Sequence, residues 1–229
     1  MSKTAIAILA SGSGTTAEAF IRHMVAEQYD FMVPLVVCNN PSAGVFDRVT
    51  QLNSELGLSI QAKLINGRTH PAAADEHVEP SYQTVAEQNA LLEAFQANGI
   101  ELVVLLGFMK HISDQIIDEY GWLPKYTSIY QARMLNTHPG LLPATKGLYG
   151  VHVQEAVLRQ ALPQAGQSIH MVAAGYDEGP TVTEHHVPVK PSDTAEELFA
   201  RVQLTEKAYI ASDIANFIEA QRHFNKGGK

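Results

Sequence analysis

Three short apolar runs constrain this chain most: TAIAILA at residues 4–10, MVPLVVC at 32–38 and ELVVLLG at 101–107. None alternates apolar with polar residues, so each has to be covered on both faces, as the strands of a parallel sheet are. Amphipathic stretches separate them. TTAEAFIRHMVAE (15–27) places Phe20, Ile21, Met24 and Val25 on one helical face, and TVAEQNALLEAFQANG (84–99) does the same with Leu91, Leu92 and Phe95 before stopping at Gly99. Strand alternating with helix implies βαβ units, hence an α/β, three-layer, mostly parallel twisted sheet.

The later part reads differently. SIHMVAA (168–174) and TVTEHHVPV (181–189) read as a strand pair joined through GYDEGP. A long final helix is expected from SDTAEELF, where Thr194 and Glu197 fit the capping-box pattern, to about residue 220. The spacing predicts one domain over 1–222, a flexible tail at 223–229 and a long loop at 66–83.

Bulk composition narrows the partners. With 24 acidic against 16 basic residues the formal charge is -8, and the basic residues are not gathered into a stripe, which argues against a nucleic-acid surface. Cys38 is the single cysteine, so no intrachain disulfide can form. The opening apolar run is too short for a signal-peptide core, and no run approaches a membrane span. The expected location is the cytoplasm, with no nucleic-acid or membrane partner. His70, His77, His111, His185 and His186 form no metal-binding pattern, so no metal is assigned.

In open parallel sheets, ligands bind beyond the carboxyl ends of the strands. Here SGSGTT follows the first expected strand, CNN the second, GFMKH the third and NTHPG a fourth, all on one edge. Gly12, Ser13, Gly14, Thr15 and Thr16 form a glycine turn entering a helix, suited to a phosphate; a tight structural turn is the alternative. A whole dinucleotide is disfavoured, because the second strand ends in Cys38-Asn39-Asn40 without the acidic residue a ribose needs. Asn136 and His138, two apart on a strand, share a face and can reach one reacting atom, unless they merely end the strand. Ser168 and His170 lie on one strand face, and if their strand adjoins the one ending at His138, Asp177 and the two histidines converge on one crevice; otherwise Asp177 is a turn former. Gln203 and Glu206 share a face of the final helix, where Glu206 needs either a ligand amine or a salt bridge.

Taken in order, ILASGSGT, GFMKHIS, MLNTHPGLLP, SIHMV with YDEGP, and VPVKPSDTAEELFARVQLTEK resemble the phosphoribosylglycinamide formyltransferase family. The resemblance implies a Rossmann-like formyltransferase fold. It also implies transfer of a formyl group from 10-formyltetrahydrofolate to glycinamide ribonucleotide in purine synthesis. A relative acting on another amine, such as an amino sugar nucleotide, is the alternative. By this resemblance Asn136, His138 and Asp177 are catalytic. Gly12 to Thr16, Gln203 and Glu206 hold the nucleotide substrate, whose half spans about 1–107. Met109, Lys110, His111, Ile112, Ala173, Ala174, Gly175 and Tyr176 lie on the folate side, in a half spanning about 108–222. A homodimer is compatible with it. The chain departs from the family pattern at Thr15-Thr16, at Lys110, in AAGYDEG, and in the longer segments 66–83 and 114–133. His152 lies near a further family histidine.

Overall fold

The computed structural model describes residues 3–227. In chain order the elements are β1 (Thr4–Ala10), α1 (Thr15–Ala26), β2 (Phe31–Cys38), α2 (Val45–Leu56), β3 (Gln61–Leu64), α3 (Val85–Ala97), β4 (Leu102–Leu105) and α4 (Asp114–Tyr120). There follow β5 (Met134–His138), α5 (His152–Arg159), β6 (Gln164–Met171), β7 (Thr181–Pro188) and α6 (Ala195–Gly227).

Among the described residues one seven-stranded sheet runs in the order β3-β2-β1-β4-β5-β6-β7. The pairs from β3 to β5 are parallel, and β6 runs antiparallel to both β5 and β7. The expected strand pair is therefore present, although β6 begins at Gln164 and ends at Met171, leaving Ala173 and Ala174 in the loop.

Strand alternation sorts the core into layers. Ile6, Ile8 and Ala10 of β1 pack with Phe20 and Ile21 of α1, Val49 of α2 and Ile214 of α6. Ala7 and Leu9 face the other way, onto Leu91 and Phe95 of α3 and Ile116 of α4. These side chains are buried, the valine, leucine, isoleucine and phenylalanine ones contributing roughly 1.5–3 kcal/mol each, so the strand ends that carry the polar turns are firmly based. The chain winds from β1 outward to β3, then returns through α3 to β4 on the other side of β1. That reversal places a crevice between the turns after β1 and β4.

Sequence expectation and structure differ at identifiable places. β3 was not expected, and GFMKH therefore follows the fourth strand rather than the third. Helices α2, α4 and α5 were also unread. The final helix runs to Gly227, not to about 220, and residues 223–227 are helical rather than a loose tail; residues 228–229 lie outside the described residues. Its end is held by tertiary contacts: Gln221 donates to the carbonyls of Tyr130 and Ala132, and Phe224 packs on the Tyr130 ring at 5.9 Å. Segment 114–133 is thus the seat for the end of α6. Trp122 in this segment sets its indole against Tyr126 and donates its backbone N–H to the Val172 carbonyl at 2.7 Å. The start of α6 matches expectation, with Thr194 and Glu197 making both bonds of the capping box.

Candidate active site

The carboxyl-edge turns are tied together before any ligand is considered. Ser11, at the end of β1, donates to Asn39 Oδ1 at 2.5 Å and accepts from the Met109 amide at 2.8 Å. Asn40 donates to the Ser11 carbonyl, and Asn66 donates to that of Asn39. The two asparagines after β2 therefore brace neighbouring turns.

The glycine turn enters α1 with Gly14 as N-cap at φ +76°, and no side chain caps the helix. A Cβ at Gly14 would come within 2.8 Å of the Val45 backbone, so glycine is required by both conformation and space. The first-turn amides at Thr15 and Thr16 thus form a donor site suited to an anion. Glu18 would oppose such an anion, but Arg22 and Arg48 both bind it. Burial alone would raise its carboxyl; these two guanidinium groups bring it below the usual range. Arg48 also donates to the Ser13 carbonyl at 2.7 Å, a brace that sequence reading missed.

Asn136 and His138 stand on one face at the end of β5, opposite His170 and Ser168 of β6 respectively. Asn136 Nδ2 lies 3.0 Å from His170 Nε2. Asp177 enters from the loop after β6. Its Oδ2 is 3.5 Å from His138 Nδ1, its Oδ1 is 3.4 Å from His170 Nε2, and it accepts from the Gly147 amide at 2.9 Å. An amide, two imidazoles and a carboxylate therefore meet in one place. Asp177 holds this position in the left-handed region, at φ +53°, a strained setting for a residue with a side chain.

The electrostatics follow from burial. His138 is 3% exposed, and desolvation lowers its pKa; the Asp177 charge pulls it upward and His170 pushes it down further. For Asp177, burial raises the carboxyl, but hydrogen bonding with His170, the His138 charge and the Gly147 amide outweigh this and hold it low. Ser168 is scaffolding: its one hydroxyl proton lies between two acceptors, the Gly140 carbonyl at 2.9 Å and Glu184 Oε1 at 3.0 Å, and its oxygen accepts from the Leu142 amide, fixing the chain after His138.

Glu206 of α6 accepts from the hydroxyls of Thr16 and Thr137, and not from a lysine or arginine among the described residues. The residue is half-buried, and its carboxyl points inward to these hydroxyls, where desolvation pushes its pKa up. Thr137 sits between Asn136 and His138 on the opposite strand face, so β5 serves α6 on one side and the polar cluster of Asn136, His138 and Asp177 on the other. Gln203 is half-buried one turn before Glu206.

The expected folate-side residues divide. Met109 and Tyr176 are about half exposed at the crevice, at 50% and 52%. His111 stacks on Tyr82 at 4.5 Å, meets the Tyr176 edge at 4.8 Å, and lies 2.9 Å from the Ala174 carbonyl, joining three loops. Tyr82, from the 66–83 loop, was not anticipated. Gly175 is packed so closely on Glu178 that a Cβ would overlap it. The Lys110 ammonium binds buried Glu87 at 2.5 Å and 2.7 Å, and Ile112 is buried in the core, so neither side chain faces the crevice. His152 is not drawn into the cluster; it pairs with Glu155 at 2.9 Å at the start of α5. Among the described residues no group of three His, Cys, Asp or Glu side chains is placed to hold a metal ion.

This open sheet, with its polar cluster beside the switch point and its uncapped helix, has the build of a Rossmann-like transferase. A formyl transferase family model matches residues 4–214, and the chain belongs to that family. It is 27% identical to the phosphoribosylglycinamide formyltransferase of Bacillus subtilis over 93% of each chain. It is 28% identical to the Escherichia coli protein of the same name, over 94% of this chain and 88% of that one. Among solved structures, glycinamide ribonucleotide transformylase 1 from Symbiobacterium toebii superposes with a TM-score of 0.77 at 28% identity, covering 95% of this chain and 89% of the other.

Proposed function

We propose that this protein transfers a formyl group from 10-formyltetrahydrofolate to the amine of glycinamide ribonucleotide. The observation that carries the reading is the meeting of Asn136, His138 and Asp177 at the carboxyl edge. The relatives' names supply the formyl acceptor, and membership of the formyl transferase family supports the folate donor.

The donor folate supplies the formyl group. A ring-bearing donor suits a crevice walled by Met109, Tyr82, His111 and Tyr176. The ribonucleotide's phosphate suits the amides after Gly14. Its sugar and amide groups have hydroxyl and N–H donors suited to Glu206. In the transfer, a bond forms from the amine nitrogen to the formyl carbon and the bond from that carbon to the folate nitrogen breaks. Asn136 donates a hydrogen bond to the formyl oxygen as it gains negative charge, a role for which one donor is typically worth roughly 3–4 kcal/mol. His138 supplies a second donor when protonated. Asp177 orients it and helps carry the proton from the attacking nitrogen to the departing one.

This reading takes residues 1–222 as one domain working in the cytoplasm, and includes a homodimer. The single sheet and the absence of a membrane-length apolar helix among the described residues are in keeping with it. The test is an assay of the purified protein with both substrates, alongside His138→Ala and Asp177→Ala. Formylation of glycinamide ribonucleotide by the wild type, with loss of roughly 10²-fold or more in each variant, is expected. Turnover only with another amine overturns the substrate assignment, and equal turnover in all three proteins overturns the mechanism.

A further inference from the structure

The two ring nitrogens of His138 have different neighbours. Nε2 lies 2.9 Å from Thr145 Oγ1, and that hydroxyl lies 3.1 Å from the Leu141 carbonyl oxygen. A carbonyl only accepts and a hydroxyl has a single proton. Thr145 therefore donates to Leu141, and its oxygen accepts from His138 Nε2. The contact is closely built: Thr145 is 1% exposed, and a Cβ on Gly140 would overlap its Oγ1. The other nitrogen, Nδ1, faces Asp177 Oδ2 at the longer distance of 3.5 Å.

We propose that Thr145 is a positioning residue that keeps a proton on Nε2 of His138, so that the proton gained and lost at this ring is the one on Nδ1. The neutral ring is then the Nε2–H tautomer, with its bare Nδ1 turned to the carboxylate and the reacting groups. On protonation Nε2–H stays with Thr145, while the Nδ1–H, 3.5 Å from Asp177 Oδ2, is the donor shared between that carboxylate and the formyl oxygen. The titratable groups facing the ring are Asp177, from the loop after β6, and His170 on β6 itself. Neither touches Nε2, so the tautomer rests on Thr145.

The tautomer does not depend on the identity of the substrate; the kinetic consequence rests on the proposed formyl transfer. Histidine labelled with ¹⁵N, with the His138 signals assigned by their loss in His138→Gln, reads the tautomer directly in the wild-type protein. A protonated Nε2 and an unprotonated Nδ1 are expected in the neutral ring, and the reverse pattern overturns the proposal. In Thr145→Val, which replaces the acceptor with a methyl group, the neutral ring should change to the Nδ1–H form. Its kcat should fall about tenfold, and the pH limb set by His138 should move to lower pH, because the cation has lost an acceptor. Thr145→Ser should restore tautomer, rate and limb. A valine variant with the wild-type pattern and limb, or a serine variant resembling valine, overturns the proposal. If the valine variant does not fold, the wild-type spectrum and the serine variant still decide it.

Discussion

Asn136 and Asp177 share one nitrogen: His170 Nε2 lies 3.0 Å from the Asn136 amide nitrogen and 3.4 Å from Asp177 Oδ1. The other His170 nitrogen is 2.9 Å from the Met171 carbonyl, which anchors the ring from behind. Nε2 is thus the point where His170 meets both the amide and the carboxylate, and it fixes the end of the Asn136 side chain beside Asp177 at the crevice.

Replacing that amide with a carboxylate of the same shape tests the consequence. Asn136→Asp removes the N–H and adds negative charge where the formyl oxygen becomes negative. A loss of 10²–10³ in kcat is expected, typical of a removed oxyanion donor. Steady-state kinetics, with circular dichroism to confirm an intact fold, measure it.

Asp177→Asn removes the charge that pulls the His138 pKa upward. The pH limb set by His138 should move to lower pH, with roughly a 10²-fold fall in kcat. Stability also has a predictable sign. The Asp177 pKa is depressed on folding, so its ionised form stabilises the protein above its unfolded value near 3.8. That contribution is lost as pH falls through the folded pKa. Thermal melts should show a lower Tm for the variant at neutral pH and a gap that closes in acid.

Glu206 gives the opposite sign. Desolvation raises its pKa on folding, so the folded protein holds this proton more tightly than the unfolded chain does. Stability therefore declines as pH rises from about 4.5 toward the folded pKa. Glu206→Gln should remove that decline and raise Tm at neutral pH in the absence of substrate. It should also weaken nucleotide binding by roughly tenfold or more, since a charged acceptor is lost. Melts across pH and titration calorimetry with the ribonucleotide separate the two effects.

Lys110→Met tests a structural ion pair. Glu87 is 1% exposed, caps α3 through the Thr84 amide and is bound by the Lys110 ammonium. Removing the cation leaves a buried charge without its counter-ion, at an expected cost of about 3–5 kcal/mol. Denaturant unfolding measures it. Lys110→Arg should retain most of the stability.

What was legible in the sequence was what local pattern encodes. β1, β2 and β4 are buried on both faces and so appear as unbroken apolar runs; the α6 cap appears as Thr194 and Glu197. β3 escaped notice because it is a four-residue edge strand with Gln61 and Ala62 exposed, which leaves little apolar signal. α2 begins behind a proline- and glycine-rich turn with no side-chain cap. Helix 223–227 depends on Tyr130, about ninety residues away, and no local periodicity records such a contact. The site divides in the same way. Asn136 and His138 share a strand face by simple alternation, whereas Thr145 reaches His138 only because the following loop turns back, and Tyr82 reaches His111 through a long loop. Lys110 is expected at the crevice by motif position; it lies in the loop after β4, and its ammonium is drawn to buried Glu87 on α3.

Trp122 is the sole tryptophan of the chain. Its backbone is fastened to Val172, at the root of the loop that bears Asp177. Tightening or loosening of that loop pulls directly on the environment of this one indole. Intrinsic emission is thus an optical gauge of the loop, with no foreign dye needed to read it.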